Sequence, residues 1–163
     1  MNPNLSTDPK TDKEIPYCED MPDHAVFVWE KYVLNSGFKN ILLIAHSAGG
    51  GCTRAIQTKF ADTFYNQVKE IAYTDSWVIE REALTPGQIE FMEKRAIHYV
   101  SSNNQLGTLE STGFGGRGAC PHVSAGHPKH EYTTGFAWPM IIQQFDRENT
   151  HSYKESWMIQ FKV

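Results

Sequence analysis

Two spacings of hydrophobic residues alternate along this chain, one typical of amphipathic helices and one typical of buried strands. The segment PDHAVFVWEKYVLNSG (22–37) carries apolar residues at helical spacing and ends in Gly37, which favours a helix stop. The run NILLIA (40–45) is continuously apolar, as expected of a strand buried on both faces of a parallel sheet. Helical spacing returns between Cys52 and Phe60, so the pattern predicts a helix, a strand and a second helix.

The alternation continues through the middle of the chain. EIAYT (70–74) is the next predicted strand, and TPGQIEFMEKRA (85–96) is the next predicted helix. Thr85 and Gln88 have the spacing of a capping box, and Pro86 stands at the first helical position. These start signals predict a helix that begins at Pro86.

Two further strands and a closing helix complete the pattern. AIHYVS (96–101) and HVSAG (122–126) are the third and fourth predicted strands, separated by a long loop rich in glycine and serine. FAWPMIIQQF (136–145) is predicted to be a helix in which Pro139 is tolerated only near the start. The tail ESWMIQFKV (155–163) fits either an added strand or a docked terminal segment.

Strands that alternate with helices of about 10 to 15 residues are typical of βαβ units and predict an α/β fold. We expect three layers, in which about four parallel strands are flanked by helices on both faces. At 163 residues the chain has room for one core rather than two. Residues 1–22 are polar and punctuated by prolines, so they are interpreted as an N-terminal arm before a single domain at 23–163.

In such sheets the functional groups collect in the loops at the carboxyl ends of the strands. Three of these loops carry Ser47, Asp75 and His130, in the chain order of serine, acid and histidine that α/β-hydrolases use. A serine hydroxyl is a weak nucleophile until a histidine takes its proton, and a carboxylate keeps that histidine in the correct tautomer. These three residues therefore predict a catalytic site for acyl transfer.

The segment ILLIAHSAGGG (41–51) has the character of a sharp strand-to-helix turn that exposes a nucleophile. Ala45, Ala48 and Gly49 supply the small neighbours that this turn needs, although a glycine is more usual at the position of Ala45. The backbone N–H of Ala48 would form half of an oxyanion hole. The alternative is a glycine-rich turn without catalytic chemistry, and neither common nucleotide-binding pattern is matched.

The acid and the base each have a rival. Glu110 lies in a loop, whereas Asp75 directly follows an apolar strand and is the preferred acid. His127 and His130 both follow the fourth predicted strand. His130 is preferred because its greater distance from the strand end lets it fold back over the sheet, and His127 stays an alternative.

Four potential metal ligands lie close together near the fourth predicted strand, namely Cys120, His122, His127 and His130. Their spacing is not that of a standard zinc site, and a strand followed by a loop explains the segment. The sequence therefore predicts no metal and no cofactor.

Composition limits the classes of partner. The formal net charge is −4 and Lys94 and Arg95 form the only adjacent basic pair, so direct binding of DNA or RNA is not expected. The three cysteines form no CxxC pair and the N-terminus lacks the apolar core of a signal peptide, which favours a reducing compartment over secretion. Apolar runs of about five residues are much shorter than the roughly 20 needed to span a membrane, so no membrane association is expected.

Five sequence blocks carry a resemblance to a known family. They are VFVWEKYV (26–33), LLIAHSAGG (42–50), IAYTDS (71–76), YVSSNNQLGT (99–108) and VSAGHPKHEYT (123–133). In this order they resemble the Argonaute-binding-protein-two domain, which occurs in the fission-yeast Argonaute-binding protein and in animal cotranscriptional regulators. The resemblance spans about residues 24–145.

The resemblance implies an α/β-hydrolase-like fold in which Ser47, Asp75 and His130 match the serine, aspartate and histidine of the family. It favours His130 over His127, since the histidine of the last block precedes a glutamate, as in KHEYT. It also implies a regulatory role in the nucleus or cytoplasm through protein partners, namely Argonaute in small-RNA heterochromatin silencing, chromatin factors or splicing factors. The alternative implied by the motif is an active serine carboxylester hydrolase that acts on a small ester.

The family pattern also includes a part that none of the five blocks supplies. Its members carry further strands upstream, one of which ends in a His-Gly-Ser-Gly-type loop that provides a second oxyanion donor. Without that strand the NILLIA segment would be an apolar sheet edge, and loss of one oxyanion donor costs roughly 10²–10³ in kcat. We therefore expect a fragment, a truncated gene model or half of a site completed elsewhere, with weak or no hydrolase activity of its own.

Overall fold

The structure is a computed structural model that describes residues 7–8, 10–111 and 118–146. Its four strands are β1 (Ile41–His46), β2 (Val68–Thr74), β3 (Ala96–Val100) and β4 (His122–Ser124). All neighbouring pairs are parallel, and the order in the sheet is β1-β2-β3-β4. The predicted α/β fold with about four parallel strands is confirmed.

Five α-helices accompany these strands within the described ranges. They are α1 (Met21–Val28), α2 (Gly49–Lys59), α3 (Ala61–Gln67), α4 (Pro86–Arg95) and α5 (Thr133–Phe145), and one π-helical turn at Trp29–Val33 extends α1. None of the helices in this part of the chain has the length and apolar character needed to cross a membrane. The predicted tail 155–163 lies outside the described residues.

The start of α4 shows how the sequence sets a helix boundary. The side chain of Thr85 accepts a hydrogen bond from the backbone N–H of Gln88 at 3.4 Å. In return, Gln88 Oε1 accepts one from the backbone N–H of Thr85 at 2.9 Å. This capping box, with Pro86 in the first turn, confirms the predicted start of the helix.

The closing helix begins earlier than the apolar pattern predicts. Because α5 starts at Thr133 rather than Phe136, Pro139 lies in the helix interior, and the prediction that it would stand near the start is wrong. A proline cannot donate a hydrogen bond to the carbonyl four residues earlier, which here belongs to Gly135. Gly135 is exposed, so water can hydrogen-bond to that carbonyl and the proline is tolerated.

Helices cover both faces of the sheet. Successive strand residues point to opposite faces, so each strand contributes to two apolar clusters. On one face, Ile71 of β2 packs in a cluster with Phe64 of α3 and Met92 of α4, to which α1 and α2 also contribute. On the other face, Ala72 of β2 packs in a cluster with Ile141 of α5. The result is the predicted three-layer arrangement.

The strand β1 lies at the edge of this sheet in the described part of the chain. Leu42 and Ile44 are 47% and 38% exposed, because within the described residues α5 packs over β2 and β3 rather than over this face of β1. The prediction that the NILLIA segment is buried on both faces is therefore wrong for this face. Among the described strands it is instead an apolar edge strand.

Candidate active site

Three loops meet at the carboxyl edge of the sheet, because all four strands run in the same direction. Ser47 directly follows β1, Asp75 directly follows β2, and His130 begins a 3-10 turn between β4 and α5. The pairing register sets His46 beside Thr74, so the first two loops leave the sheet at the same level. The fold thus brings the three predicted site residues to one edge.

A hydrogen bond joins two of these three residues. His130 Nδ1 lies 2.8 Å from Asp75 Oδ2, and Asp75 Oδ1 accepts a hydrogen bond from the backbone N–H of Ser101 at 3.1 Å. An ionised carboxylate only accepts, so Nδ1 of His130 carries a proton, and in the neutral imidazole Nε2 is then the acceptor. A serine nucleophile requires this arrangement of its base and acid.

The surroundings of the Asp75 carboxyl group favour its ionised form. Burial raises the pKa of Asp75, but the hydrogen bonds from His130 and Ser101 lower it by more, so that the pKa is below its ordinary value. Its side chain is 7% exposed, whereas the His130 side chain is 49% exposed. Asp75 is therefore an ionised, buried anchor for a histidine that faces solvent.

Ser47 stands at the tip of the turn between β1 and α2, with a backbone φ of +54°. Its N–H donates to the carbonyl of Thr74 at 3.2 Å, and its own carbonyl accepts a hydrogen bond from the hydroxyl of Ser76 at 2.7 Å. These two bonds fix the turn to the strand and loop beside it. A serine with left-handed backbone geometry in a strand–turn–helix segment is typical of a nucleophile elbow.

The third contact of a triad is not formed. In the part of the chain that the structure describes, Ser47 Oγ makes no hydrogen bond, either to His130 or to another group. The ring of His130 packs against the ring of His46, with the ring centroids 4.6 Å apart. The structure therefore joins Asp75 to His130 and places Ser47 at the adjoining strand end, and contacts of this kind are often long before substrate binds.

The start of α2 lies very close to the loop after β2. A Cβ atom added to Gly50 would lie 1.7 Å from the carbonyl oxygen of Trp77 and 2.6 Å from Ser76 Oγ, so this position accepts only glycine. The helix begins after Ala48 without a side-chain cap. Among the described residues the backbone N–H of Ala48 has no acceptor, which leaves it available to a negatively charged oxygen.

The rival acid and the rival base lie in other networks. Glu110 Oε1 accepts hydrogen bonds from Ser102 at 2.6 Å and from Asn104 at 3.0 Å. The ring of His127 packs against Phe136, with the centroids 4.3 Å apart. The geometry therefore favours the pair of Asp75 and His130 over both rivals.

The surroundings of two of the four residues considered as metal ligands, Cys120 and His122, are described by the structure. Within residues 7–8, 10–111 and 118–146, no three His, Cys, Asp or Glu side chains are grouped so that they could hold a metal ion. Burial raises the pKa of Cys120 to about 12, so its thiol stays protonated at neutral pH and is a poor ligand. The ring of His122 packs against the ring of His98, with the centroids 4.8 Å apart.

His98 contacts the loop that carries Asp75, a contact that no sequence motif predicts. It is fully buried, and its Nε2 accepts a hydrogen bond from the backbone N–H of Ser76 at 3.0 Å. Burial lowers the pKa of His98 to about 3; the neighbouring His122 lowers it too, while Asp75 opposes the shift. A neutral His98 thus fixes the residue after Asp75, and the signal in the sequence is a histidine in the otherwise apolar strand AIHYV.

Comparisons with known proteins connect the chain to one family. The family model of the Arb2 domain matches residues 2–106, a range that includes Ser47 and Asp75 and ends before His130. No solved structure matches the chain.

Curated relatives with the same name come from distant organisms. The chain is 32% identical over 126 residues to the Cotranscriptional regulator ARB2A homolog of Xenopus tropicalis, covering 76% of this chain and 29% of the relative. It is 30% identical over 125 residues to the Cotranscriptional regulator ARB2A of Homo sapiens, with the same 76% and 29% coverage. For the Dictyostelium discoideum homolog the identity is 28% over 131 residues, covering 77% and 32%. The chain thus spans about a third or less of the length of these relatives.

Proposed function

The chain belongs to the Arb2 domain family, and we propose that it is a cotranscriptional regulator that acts in the nucleus through protein partners. The observation that carries this proposal is the similarity, over 76% of the chain, to proteins named cotranscriptional regulators. The partners would be Argonaute, chromatin factors or splicing factors, the classes that the family resemblance implies.

The distribution of charge supports a protein partner over a nucleic acid. The net charge is −4, and the one adjacent basic pair is offset by two carboxylates. Lys94 Nζ lies 2.6 Å from Glu90 Oε1, and the guanidinium of Arg95 lies 3.4 Å from Glu70 Oε1. This surface offers little positive potential to a phosphate backbone.

Affinity purification tests this proposal directly. The tagged chain would be recovered from nuclear extract of cells that express it, with and without RNase, and its partners would be quantified by mass spectrometry. A control domain of similar size and net charge with the same tag removes nonspecific partners. Enrichment of Argonaute, chromatin or splicing factors that survives RNase supports the proposal, and recovery of none of them overturns it.

The site geometry favours a second function, serine acyl hydrolysis. In this reaction Nε2 of His130 takes the proton of Ser47 Oγ as the oxygen attacks an ester carbonyl, while Asp75 stabilises the resulting imidazolium. The backbone N–H of Ala48 donates to the oxyanion that forms, and His130 then passes the proton to the alcohol as the ester bond breaks. Water, deprotonated by His130, next attacks the acyl group on Ser47, and the proton returns to Ser47 Oγ as the carboxylic acid leaves. The supporting observations are the 2.8 Å bond between His130 and Asp75 and the positive φ of Ser47.

A fluorophosphonate probe, which reacts covalently with activated serines, tests this second function. We expect labelling of the intact chain that is abolished in Ser47→Ala and slowed by roughly 10⁴-fold in Asp75→Asn, because the amide would favour the wrong tautomer of His130. Ser111→Ala is the matched control, since Ser111 is exposed and is not one of these site residues. Absent labelling, or labelling that survives Ser47→Ala, refutes the hydrolase and leaves the regulatory proposal untouched.

A further inference from the structure

The ring of His46 is in direct contact with the ring of the predicted base. His46 is the last residue of β1, and its imidazole lies 4.6 Å from that of His130, centroid to centroid, with 33° between the ring planes. The side chain of His46, the residue before Ser47, thus contacts the side chain of His130. This contact is not part of the catalytic arrangement described above, which involves Ser47, Asp75, His130 and the backbone N–H of Ala48.

His46 is itself held firmly. Its Nδ1 lies 2.9 Å from the carbonyl oxygen of Thr74 and 3.2 Å from Thr74 Oγ1. A carbonyl oxygen only accepts, so Nδ1 of His46 is the donor. Thr74 Oγ1 in turn lies 2.7 Å from Thr134 Oγ1, which ties the group to α5. Strand β2 and helix α5 therefore fix the orientation of the His46 ring.

His130 needs such a support. It lies on a 3-10 turn with its side chain half exposed, and among the described residues its ring is held by one hydrogen bond, to Asp75. One hydrogen bond restrains Nδ1, but small coupled changes in the two side-chain torsions can still tilt the ring while that bond bends or lengthens. Contact between ring faces restricts this tilt.

We propose that His46 is a positioning residue, whose fixed ring sets the plane of His130 so that Nε2 faces the nucleophile while Nδ1 stays bonded to Asp75. The proposal rests on the hydrolase function described above. It assigns to His46 no proton transfer and no contact with substrate. Its contribution is the orientation of the base, and orientation errors of about 1 Å can cost roughly 10²-fold in rate.

Two substitutions test the aromatic ring of His46 and its hydrogen bond to Thr74 independently. His46→Phe keeps an aromatic ring against His130 and removes the donor to Thr74. His46→Asn removes the ring, while its side-chain amide can still donate to the Thr74 carbonyl. His127→Asn is the matched control, a histidine of the same loop region whose ring packs on Phe136 instead. Melting temperatures establish that all three variants fold.

The first readout does not depend on activity. In an NMR spectrum of the chain, the Nδ1–H proton of His130 should be observable because its bond to Asp75 protects it from exchange with water. We expect this signal to persist in His46→Phe and His127→Asn and to broaden or disappear in His46→Asn. A signal that is unchanged in a folded His46→Asn variant overturns the proposal.

The second readout is the rate of fluorophosphonate labelling at Ser47. We expect His46→Asn to be slowed by roughly tenfold or more and His46→Phe to stay within about threefold of the unmodified chain. Faster labelling of His46→Asn would show that His46 restrains the base instead of positioning it, which refutes the proposal. If the unmodified chain is not labelled at all, the hydrolase function fails, and the NMR readout alone decides whether His46 orients His130.

Discussion

Mild acid should destabilise this protein through one buried side chain, His98. The imidazole is fully buried in β3 and accepts a hydrogen bond from the backbone N–H of Ser76 through Nε2. Protonation of Nε2 would remove that acceptor and place a charge in the core beside His122. The folded protein therefore resists protonation at a pH where the unfolded chain accepts it.

The sign and the size of the effect follow from the pKa. The pKa of His98 is lowered from 6.5 to about 3, chiefly by burial, so between these values the unfolded state binds more protons than the folded state. The contribution of neutral His98 to the free energy of unfolding is therefore fully present above pH 6.5 and is lost progressively as the pH falls towards 3. Each unit changes the free energy of unfolding by about 1.4 kcal/mol, which amounts to about 2 kcal/mol at pH 5. Burial also lowers the pKa of His122, which adds to the decline in the same direction.

Urea denaturation at pH 7, 6 and 5, followed by tryptophan fluorescence, measures this decline. His98→Gln is the control, because its side-chain oxygen can accept the Ser76 N–H and does not titrate. Between pH 7 and pH 5 the unmodified protein should lose about 2 kcal/mol more than the variant, and the contribution of His122 cancels because both proteins contain it. Equal losses in the two proteins would refute the assignment of His98 as a buried neutral acceptor.

Three further substitutions test packing at particular residues by urea denaturation. Gly50→Ala should lower the free energy of unfolding by roughly 3 kcal/mol, because the added Cβ would lie 1.7 Å from a backbone oxygen. Gly49→Ala, whose added Cβ has its nearest contact at 3.8 Å, should be neutral or stabilising, and equal effects of the two substitutions would contradict the close approach at Gly50. Ile141→Ala should lower the free energy of unfolding by roughly 2–5 kcal/mol, because Ile141 is buried. Ile142 is 40% exposed, so Ile142→Ala should lower it by about 1 kcal/mol or less, and equal losses would show that α5 does not pack on the sheet. Thr85→Ala should cost about 1 kcal/mol, and an unchanged midpoint would show that the capping box is dispensable.

The order and type of the main elements could be predicted from the sequence because each carries its own local pattern. The capping box at Thr85 and the apolar runs of the four strands depend on nearest neighbours alone. Helix α3 was not predicted, since its seven residues ADTFYNQ are mostly polar and Phe64 alone among them is buried. The exposed face at Leu42 and Ile44 depends on which elements pack over β1, which the alternation of apolar residues does not encode.

The candidate site was predictable to the extent that strand ends are predictable. Parallel strands bring the residues after them to one edge, so Ser47 and Asp75 could be placed together from the sequence. The preference for His130 over His127 is consistent with the hydrogen bond to Asp75, but the chemical role of all three residues stays a prediction. The contact of His46 with the base could not be foreseen, because it depends on how the loop after β4 returns over the sheet.

The left-handed backbone of Ser47 offers a way to separate the two proposed functions. An L-residue in this conformation costs roughly 1–2 kcal/mol, and a glycine, which adopts it freely, would regain part of that energy. Ser47→Gly should therefore be slightly more stable than the unmodified protein and should lack the nucleophile. Such a chain is a suitable bait for capturing partners and a suitable sample for crystallisation. A regulator would keep its interactions in this form, whereas biological effects that depend on acyl transfer would disappear.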